Sequence, residues 1–289
     1  MIVWPQQLIE DIARRRAILF LGSGVSKNSV SELDNNVRPP TWEEFLRAAV
    51  ARCGNPKRHI EALLSRHDYL TACEIIKYRL ADEWNALIHD LFVAPKFRAA
   101  DIHRDIFQLD SRIVLTQNVD RIYDSFAANE SSGTVYVKEY SNADVGLVVR
   151  GDRRCVLKAH GSVDTPARMI FTREDYIRAR VEHSPFYGVL DALSVTHTLL
   201  FVGCGLSDPD VQLMLEKYAY VFPGSRPHYM VAPRASLHVD IEQSHKRNMN
   251  LKFLFYRAQD GHAELRESLH DLVGLVETQR ELLASTRNW

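Results

Sequence analysis

Short runs of continuous apolar character alternate along the chain with longer stretches of helical periodicity. "AILFL" (17–21), "RIVLT" (112–116), "VYVKEY" (135–140), "CVLKA" (155–159), "TLLFVG" (198–203), "HYMVA" (228–232) and "LKFLFY" (251–256) read as strands. Most are apolar throughout rather than at every second position, the pattern of strands covered on both faces. Between them the spacing predicts helices. Thr41 precedes Glu44 by three residues at the head of "PTWEEFLRAAVARC", which predicts a capping box. Val211, Leu215 and Tyr218 share one helical face after Ser207, Asp208 and Pro209, and so do Leu265, Leu269, Leu272 and Val276 near the C-terminus.

Strands alternating with helices predict a Rossmann-like α/β fold, a parallel sheet with helices on both faces. The interval between the first two strands is far longer than one crossover requires. Residues 1–289 are therefore read as a single α/β domain carrying an inserted helical module at about 36–110, all helix, and a C-terminal helix at about 262–289. The polar stretch "KNSVSELDNNVRPP" (27–40), with its Pro pair, is expected to be a mobile loop.

Composition narrows the partners. A chain of 289 residues that is 46% hydrophobic can bury a sizeable core. A formal net charge of -1 lacks the cation excess that a phosphate backbone demands, so no direct nucleic-acid partner is indicated. The run Arg14-Arg15-Arg16 reads as the solvated end of the first helix. Cys53, Cys73, Cys155 and Cys204 lie far apart with no CxxC pair, which excludes the usual zinc-ribbon spacing and gives no disulfide framework. No apolar run reaches bilayer length and the N-terminus lacks a signal pattern. A cytoplasmic protein with no membrane partner is expected.

Open parallel sheets bind ligands outside the carboxyl ends of their strands, and four strand ends here carry unusual residues. The first is followed by "GSGVS", with Gly22, Ser23, Gly24 and Ser26. The second is followed by "TQNVD", with Gln117, Asn118 and Asp120; "CVLKA" is followed by His160 and Gly161; and "TLLFV" by Gly203, Cys204, Gly205, Ser207 and Asp208. Each has two readings. The first loop is a phosphate cradle or simply a tight strand-to-helix turn, since Lys27 stands where a dinucleotide fingerprint has its third Gly. "TQNVD" is an Asx-type turn or a set of groups aimed at a small polar ligand. His160 is a satisfied histidine or a base at the crevice rim. Asp208 is favoured as a helix cap.

The order of "GSGVS", "TQNVD", "HGS" and "GCGLS" over about residues 17–256 resembles the sirtuin superfamily. "FTREDY" (171–176) and "GLSDPD" (205–210) resemble the bacterial sirtuin-like branch more than the protein deacetylases. That resemblance implies NAD as the substrate, and often an NAD-hydrolysing effector of anti-phage defence. It implies that Gly22, Ser23, Gly24 and Ser26 line the pyrophosphate, and that Gly203, Cys204 and Gly205 approach the adenosine side. Gln117 would contact the nicotinamide ribose, Asn118 would hold it and orient the attacking water, Asp120 would bind the carboxamide, and His160 would be the base. Such an effector has to be held inactive in healthy cells, which implies control through assembly. A homo-oligomer is expected, and some members of this size pair with a hexameric HerA-type ATPase.

Several features depart from the deacetylases. Their paired CxxC zinc module is absent, so no zinc is expected and peptide deacylation loses its support. "KNSVSELDNN" replaces their "GIPDFR" segment, "PRA" follows "HYMVA" where an Asn for the adenine ribose belongs, and Tyr123 stands where a His is common. The implied reaction is cleavage of NAD to nicotinamide and ADP-ribose. The alternatives are an NAD-dependent protein deacylase, a non-catalytic NAD or ADP-ribose sensor, and an unrelated nucleotide-processing α/β enzyme.

Overall fold

All seven apolar runs pair into one sheet in the computed structural model, which describes residues 1–287. In chain order the strands are Ala17–Leu21 (β1), Val30–Ser31 (β2), Phe97–Arg98 (β3), Ile113–Thr116 (β4), Tyr136–Glu139 (β5), Cys155–Lys158 (β6), Thr198–Val202 (β7), His228–Pro233 (β8) and Leu251–Tyr256 (β9). The large sheet runs β5-β6-β4-β1-β7-β8-β9 and every pairing in it is parallel. The inner strands of such a sheet are covered on both faces, which is why β1, β4 and β7 are fully buried, whereas the edge strand β5 is not. Leu19 and Leu21 pack with Leu8, Ile12, Leu269 and Leu272 on one face. Ile18 and Phe20 pack with Phe186, Leu193 and Leu215 on the other, where the rings of Phe20 and Phe201 lie 4.8 Å apart. The fold is a Rossmann-like, doubly wound α/β architecture. The chain leaves β1 for β4 on one side and returns to β7 on the other, so the switch point lies at the carboxyl end of β1.

Helices Trp42–Arg52, Arg58–Ser65, Tyr69–Leu80 and Glu83–Ile88, with the π turn His89–Val93, enclose a core of their own. Val119, Val163, Met169 and Phe171 from the sheet domain complete that core, so the helices sit on the strand ends rather than apart from them. The capping box forms: Thr41 Oγ1 accepts from the Glu44 amide and the Glu44 carboxylate accepts from the Thr41 amide at 2.8 Å.

The reading of 36–110 as all helix does not hold. Phe97–Arg98 pairs antiparallel with Val30–Ser31, and helix Asp101–Gln108 packs its Ile102 and Ile106 on the sheet face instead. The 27–40 stretch is tethered rather than loose. The Ser31 amide donates to Val37 at 2.9 Å, the Glu32 amide to Lys96 at 3.0 Å, and Arg38 donates to the carbonyls of Lys27, Asn28 and Ser29. The C-terminal helix spans Gln259–Thr286, with Asp260, Gly261 and His262 all at positive φ, so regular helix begins after His262. Its expected end at 289 lies outside the described residues.

Candidate active site

The carboxyl ends of β1, β4, β6 and β7 are neighbours in the sheet, and a cavity of about 340 Å³ opens above them. Its floor holds Ser23, Gln117, Asn118, Asp120, His160 and Gly203; its opposite wall is aromatic, with Trp42, Phe45, Tyr69, Phe92 and Phe171. An apolar wall facing a few convergent polar groups is the ordinary build of a small-molecule site. Of the residues singled out by sequence, Gly22, Ser23, Gln117, Asn118, Asp120, His160, Gly203, Cys204 and Gly205 line this cavity. Gly24 and Ser26 stand behind it. The aromatic wall was not legible, because Trp42, Phe45, Tyr69 and Phe92 lie in the stretch read only as a helical module and Phe171 in "FTREDY" had no assigned task.

"TQNVD" forms a turn whose side chains bond within the protein. Asp120 Oδ1 accepts from the Ile122 amide at 3.0 Å, an Asx-type turn, while its Oδ2 accepts from Ser26 Oγ at 2.8 Å. The Asn118 amide spends both its protons inward, on the Gly22 carbonyl at 2.9 Å and on Ser26 Oγ at 3.0 Å. No described residue donates to Asn118 Oδ1, so an acceptor is what it presents to the cavity. Behind the turn lies Lys158, 1% exposed, which donates to the Asp120 carbonyl and, at 3.3 Å, to Asp124. Burial pushes the Asp124 carboxyl up from its ordinary range, with the Lys158 ammonium opposing. Sequence reading passed over this buried lysine because it closes an apolar strand.

The glycine loops serve each other. A Cβ on Gly22 would lie 2.4 Å from the Gly203 carbonyl oxygen, and one on Gly203 would lie 2.6 Å from the Val25 amide nitrogen. The amides of Gly22, Gly24 and Val25 are spent on the carbonyls of Val202, Gly203 and Gly22. The first loop therefore offers the cavity Ser23 rather than a ring of free N–H groups. By contrast, the amides from Cys204 to Ser207 donate to no acceptor among the described residues. Gly203 also sits at φ +66°. Gly203→Ala is expected to lower stability by about 1–3 kcal/mol from backbone strain alone, before the clash is counted. Gly205→Ala meets nothing nearer than Ser207 Oγ at 3.8 Å and should be close to neutral when both variants are unfolded in urea beside the wild type.

Cys204 turns its thiol to the Phe20 carbonyl at 3.3 Å, and burial pushes that thiol well above its ordinary range. Among the described residues no group of three or more His, Cys, Asp or Glu side chains is placed to hold a metal ion.

His160 projects from the end of β6 with its side chain 13% exposed. Its Nε2 lies 3.2 Å from Asp208 Oδ2 and 3.4 Å from the Tyr176 hydroxyl. Asp208 caps helix Pro209–Val221 as expected, its Oδ1 accepting from the amides of Asp210 and Val211. Its other oxygen does separate work, accepting the Tyr176 hydroxyl at 2.5 Å. Burial opposes the charged form of this carboxyl, but His160, Tyr176 and the Val211 amide outweigh it and hold the group below its ordinary range. Tyr176 rides on helix Arg173–Glu182, fixed at its start by the Thr172–Asp175 capping box, and burial beside Asp208 keeps its phenol protonated.

Fold and cavity together define a doubly wound α/β protein with a cavity at the topological switch point. Residues 112–254 match the family model of the SIR2-like domain. The chain is 25% identical over 226 residues to the NAD(+) hydrolase ThsA of Acinetobacter baumannii (strain 532279), covering 78% of this chain and 44% of that protein. It is 26% identical over 221 residues to the NAD(+) hydrolase ThsA of Bacillus cereus (strain MSX-D12), covering 76% and 44%. Defense-associated sirtuin 2 of Bacillus subtilis is 23% identical over 215 residues, covering 73% of this chain and 20% of that protein. The chain thus spans less than half the length of these relatives. The residues matched by the family model include three of the four strand-end motifs, "TQNVD", "HGS" and "GCGLS". No helix among the described residues is long and apolar enough to cross a membrane.

Proposed function

We propose that the chain hydrolyses the nicotinamide–ribose bond of NAD, giving nicotinamide and ADP-ribose, as an NAD-depleting effector of bacterial anti-phage defence. The observation that carries this reading is the convergence of Asn118, Asp120 and His160 on one cavity floor facing an aromatic wall. The names of the relatives support both the substrate and the defence role. The resemblance adds self-association and a HerA-type ATPase partner, with the helical residues and the C-terminal helix as the surfaces concerned.

The reaction consumes one water and releases one proton, and each floor residue suits one part of it. The pyridinium leaves readily, so the site has to place water and stabilise the ribosyl cation rather than force the bond. Asn118 Oδ1, an acceptor without a protein donor, holds the attacking water or the ribose hydroxyl. Gln117, beside it, contacts the ribose. Asp120, each oxygen already anchored once, accepts the carboxamide N–H with a remaining lone pair. His160 takes the proton that water loses. With the amides of Gly22 and Gly24 spent, the unpartnered amides from Cys204 to Ser207, in the turn that the resemblance gives to the adenosine side, suit the pyrophosphate together with the Ser23 hydroxyl.

The test is incubation of purified wild-type protein with NAD and no peptide, followed by chromatography of the products. Equal amounts of nicotinamide and ADP-ribose are expected, with the rate falling by about 10²–10⁴ in His160→Ala. Nicotinamide release that required an acyl-lysine peptide would instead identify a deacylase. Tight NAD binding with no turnover, alone or in lysate from phage-infected cells, would identify a sensor.

A further inference from the structure

The two groups that face His160 Nε2 are both hydrogen-bond acceptors. Asp208 is ionised and has no proton to give. The single proton of the Tyr176 hydroxyl is already donated to Asp208 Oδ2, so toward Nε2 that oxygen can only accept. The remaining oxygen of Asp208 is saturated by two backbone amides, which fixes the plane of the carboxylate and stops it from rotating away. No described residue bonds Nδ1, and His160 lines the cavity. We infer that Asp208, braced by Tyr176, is a positioning residue that keeps a proton on His160 Nε2 and so leaves Nδ1 as the ring nitrogen that receives the substrate's proton. The tautomer follows from the geometry alone; the use made of Nδ1 rests on the NAD-cleaving reading above.

The arrangement gives one carboxylate two tasks. Oδ1 starts the helix and Oδ2 sets the imidazole, so the orientation of the base is tied to a rigid element rather than to a loop. When Nδ1 takes up a proton, the imidazolium formed keeps its Nε2–H on Asp208, where the charge is neutralised 3.2 Å away. No other group need move. Tyr176 has no contact with the transferred proton and serves only to keep Oδ2 in place.

Asp208→Asn separates these tasks. Asn is as good a helix cap as Asp, so its Oδ1 keeps the amides of Asp210 and Val211 and its Nδ2 takes the place of Oδ2. A donor then faces Nε2, which must become the acceptor, and the proton moves to Nδ1. NAD turnover is expected to fall by about 10²–10⁴, the worth of the lost base, with KM little changed and the fold retained.

The direct readout is the ring-nitrogen spectrum of protein labelled with ¹⁵N-histidine, His160 being assigned by its loss in His160→Gln. In the wild type, Nε2 is expected to be the proton-bearing nitrogen and Nδ1 the pyridine-type one; in Asp208→Asn the two exchange. A wild-type His160 with its proton on Nδ1 overturns the inference outright, without need of any variant. So does an unchanged tautomer in Asp208→Asn, or full turnover by that variant in an enzyme that cleaves NAD. The expected spectra in a protein that leaves NAD intact would instead refute the NAD-cleaving reading and leave the tautomer assignment standing.

Discussion

Asn118→Ala is expected to lower NAD turnover by about 10²-fold or more, the usual cost of misplacing a reacting group by about an ångström. The amide does two things at once. Its Nδ2 ties the β1 loop to the β4 turn through Gly22 and Ser26, and its Oδ1 is the acceptor left over for water. Alanine removes the acceptor and frees Ser26, whose hydroxyl in turn steadies Asp120. Binding should weaken less than turnover, because the aromatic wall, Gln117 and the Cys204–Ser207 amides are untouched. The structural cost is small: the Gly22 carbonyl still accepts from Val25, and the loss of two hydrogen bonds amounts to about 1–2 kcal/mol. Steady-state kinetics with NAD, alongside NAD binding by calorimetry, separates the two effects. Unchanged turnover would remove Asn118 from the chemistry and place water delivery elsewhere on the floor.

What could be read from the sequence follows from where each signal resides. Strands buried on both faces leave continuous apolar runs, which made the inner strands of the large sheet legible, while the exposed edge strand Tyr136–Glu139 showed through its β-branched and aromatic residues. The floor was legible for the same reason, since a parallel sheet delivers whatever follows its strands to one crevice. Val30–Ser31 and Phe97–Arg98 are too short for any period to show, and the pinning of the 27–40 stretch by Arg38 depends on three carbonyls that no pattern marks. The bracing of His160 was hidden more deeply. Tyr176 lies 16 residues from His160 and Asp208 a further 32 residues along, and the local pattern around Asp208 is fully explained by helix capping. A side chain with one visible task conceals a second. The glycine pairs hid their partner likewise: sequence shows that Gly22 and Gly203 lack a Cβ, not that each lies against the other's loop.

Acidification from pH 7.5 to pH 5 is expected to destabilise the fold by about 4 kcal/mol, about 2 kcal/mol for each of two buried histidines, a large part of the 5–15 kcal/mol typical of a domain. His103 and His228 are at most 1% exposed, and burial pulls each down from 6.5 to about 4. His228 Nδ1 accepts the Leu199 amide at 3.1 Å, so a proton there would set donor against donor, and its Nε2 has no partner. At His103 the Ala100 carbonyl, 3.2 Å from Nδ1, and Asp120 favour the proton, yet burial outweighs them. Above pH 6.5 both rings are neutral in the folded and unfolded chains and contribute no pH dependence. Below it the unfolded chain takes up protons that the folded one refuses, so stability falls steadily until about pH 4. His197 and His245, lowered by burial, act in the same sense, whereas exposed His270 is raised by its hydrogen bond to Asp105 and opposes them. Asp175 and Asp208, both held below their ordinary range, lose their contribution only in stronger acid, while Asp124 and Asp210, both raised by burial, take up protons more readily in the folded chain and oppose the histidines. Urea unfolding at the two pH values measures the drop. His228→Gln, less stable at pH 7.5, should lose about 2 kcal/mol less on acidification. An equal loss in wild type and variant would mean that His228 is protonated in the native state and that its apolar surroundings, with the Tyr218 ring tilted against it at 4.6 Å, admit the charge after all.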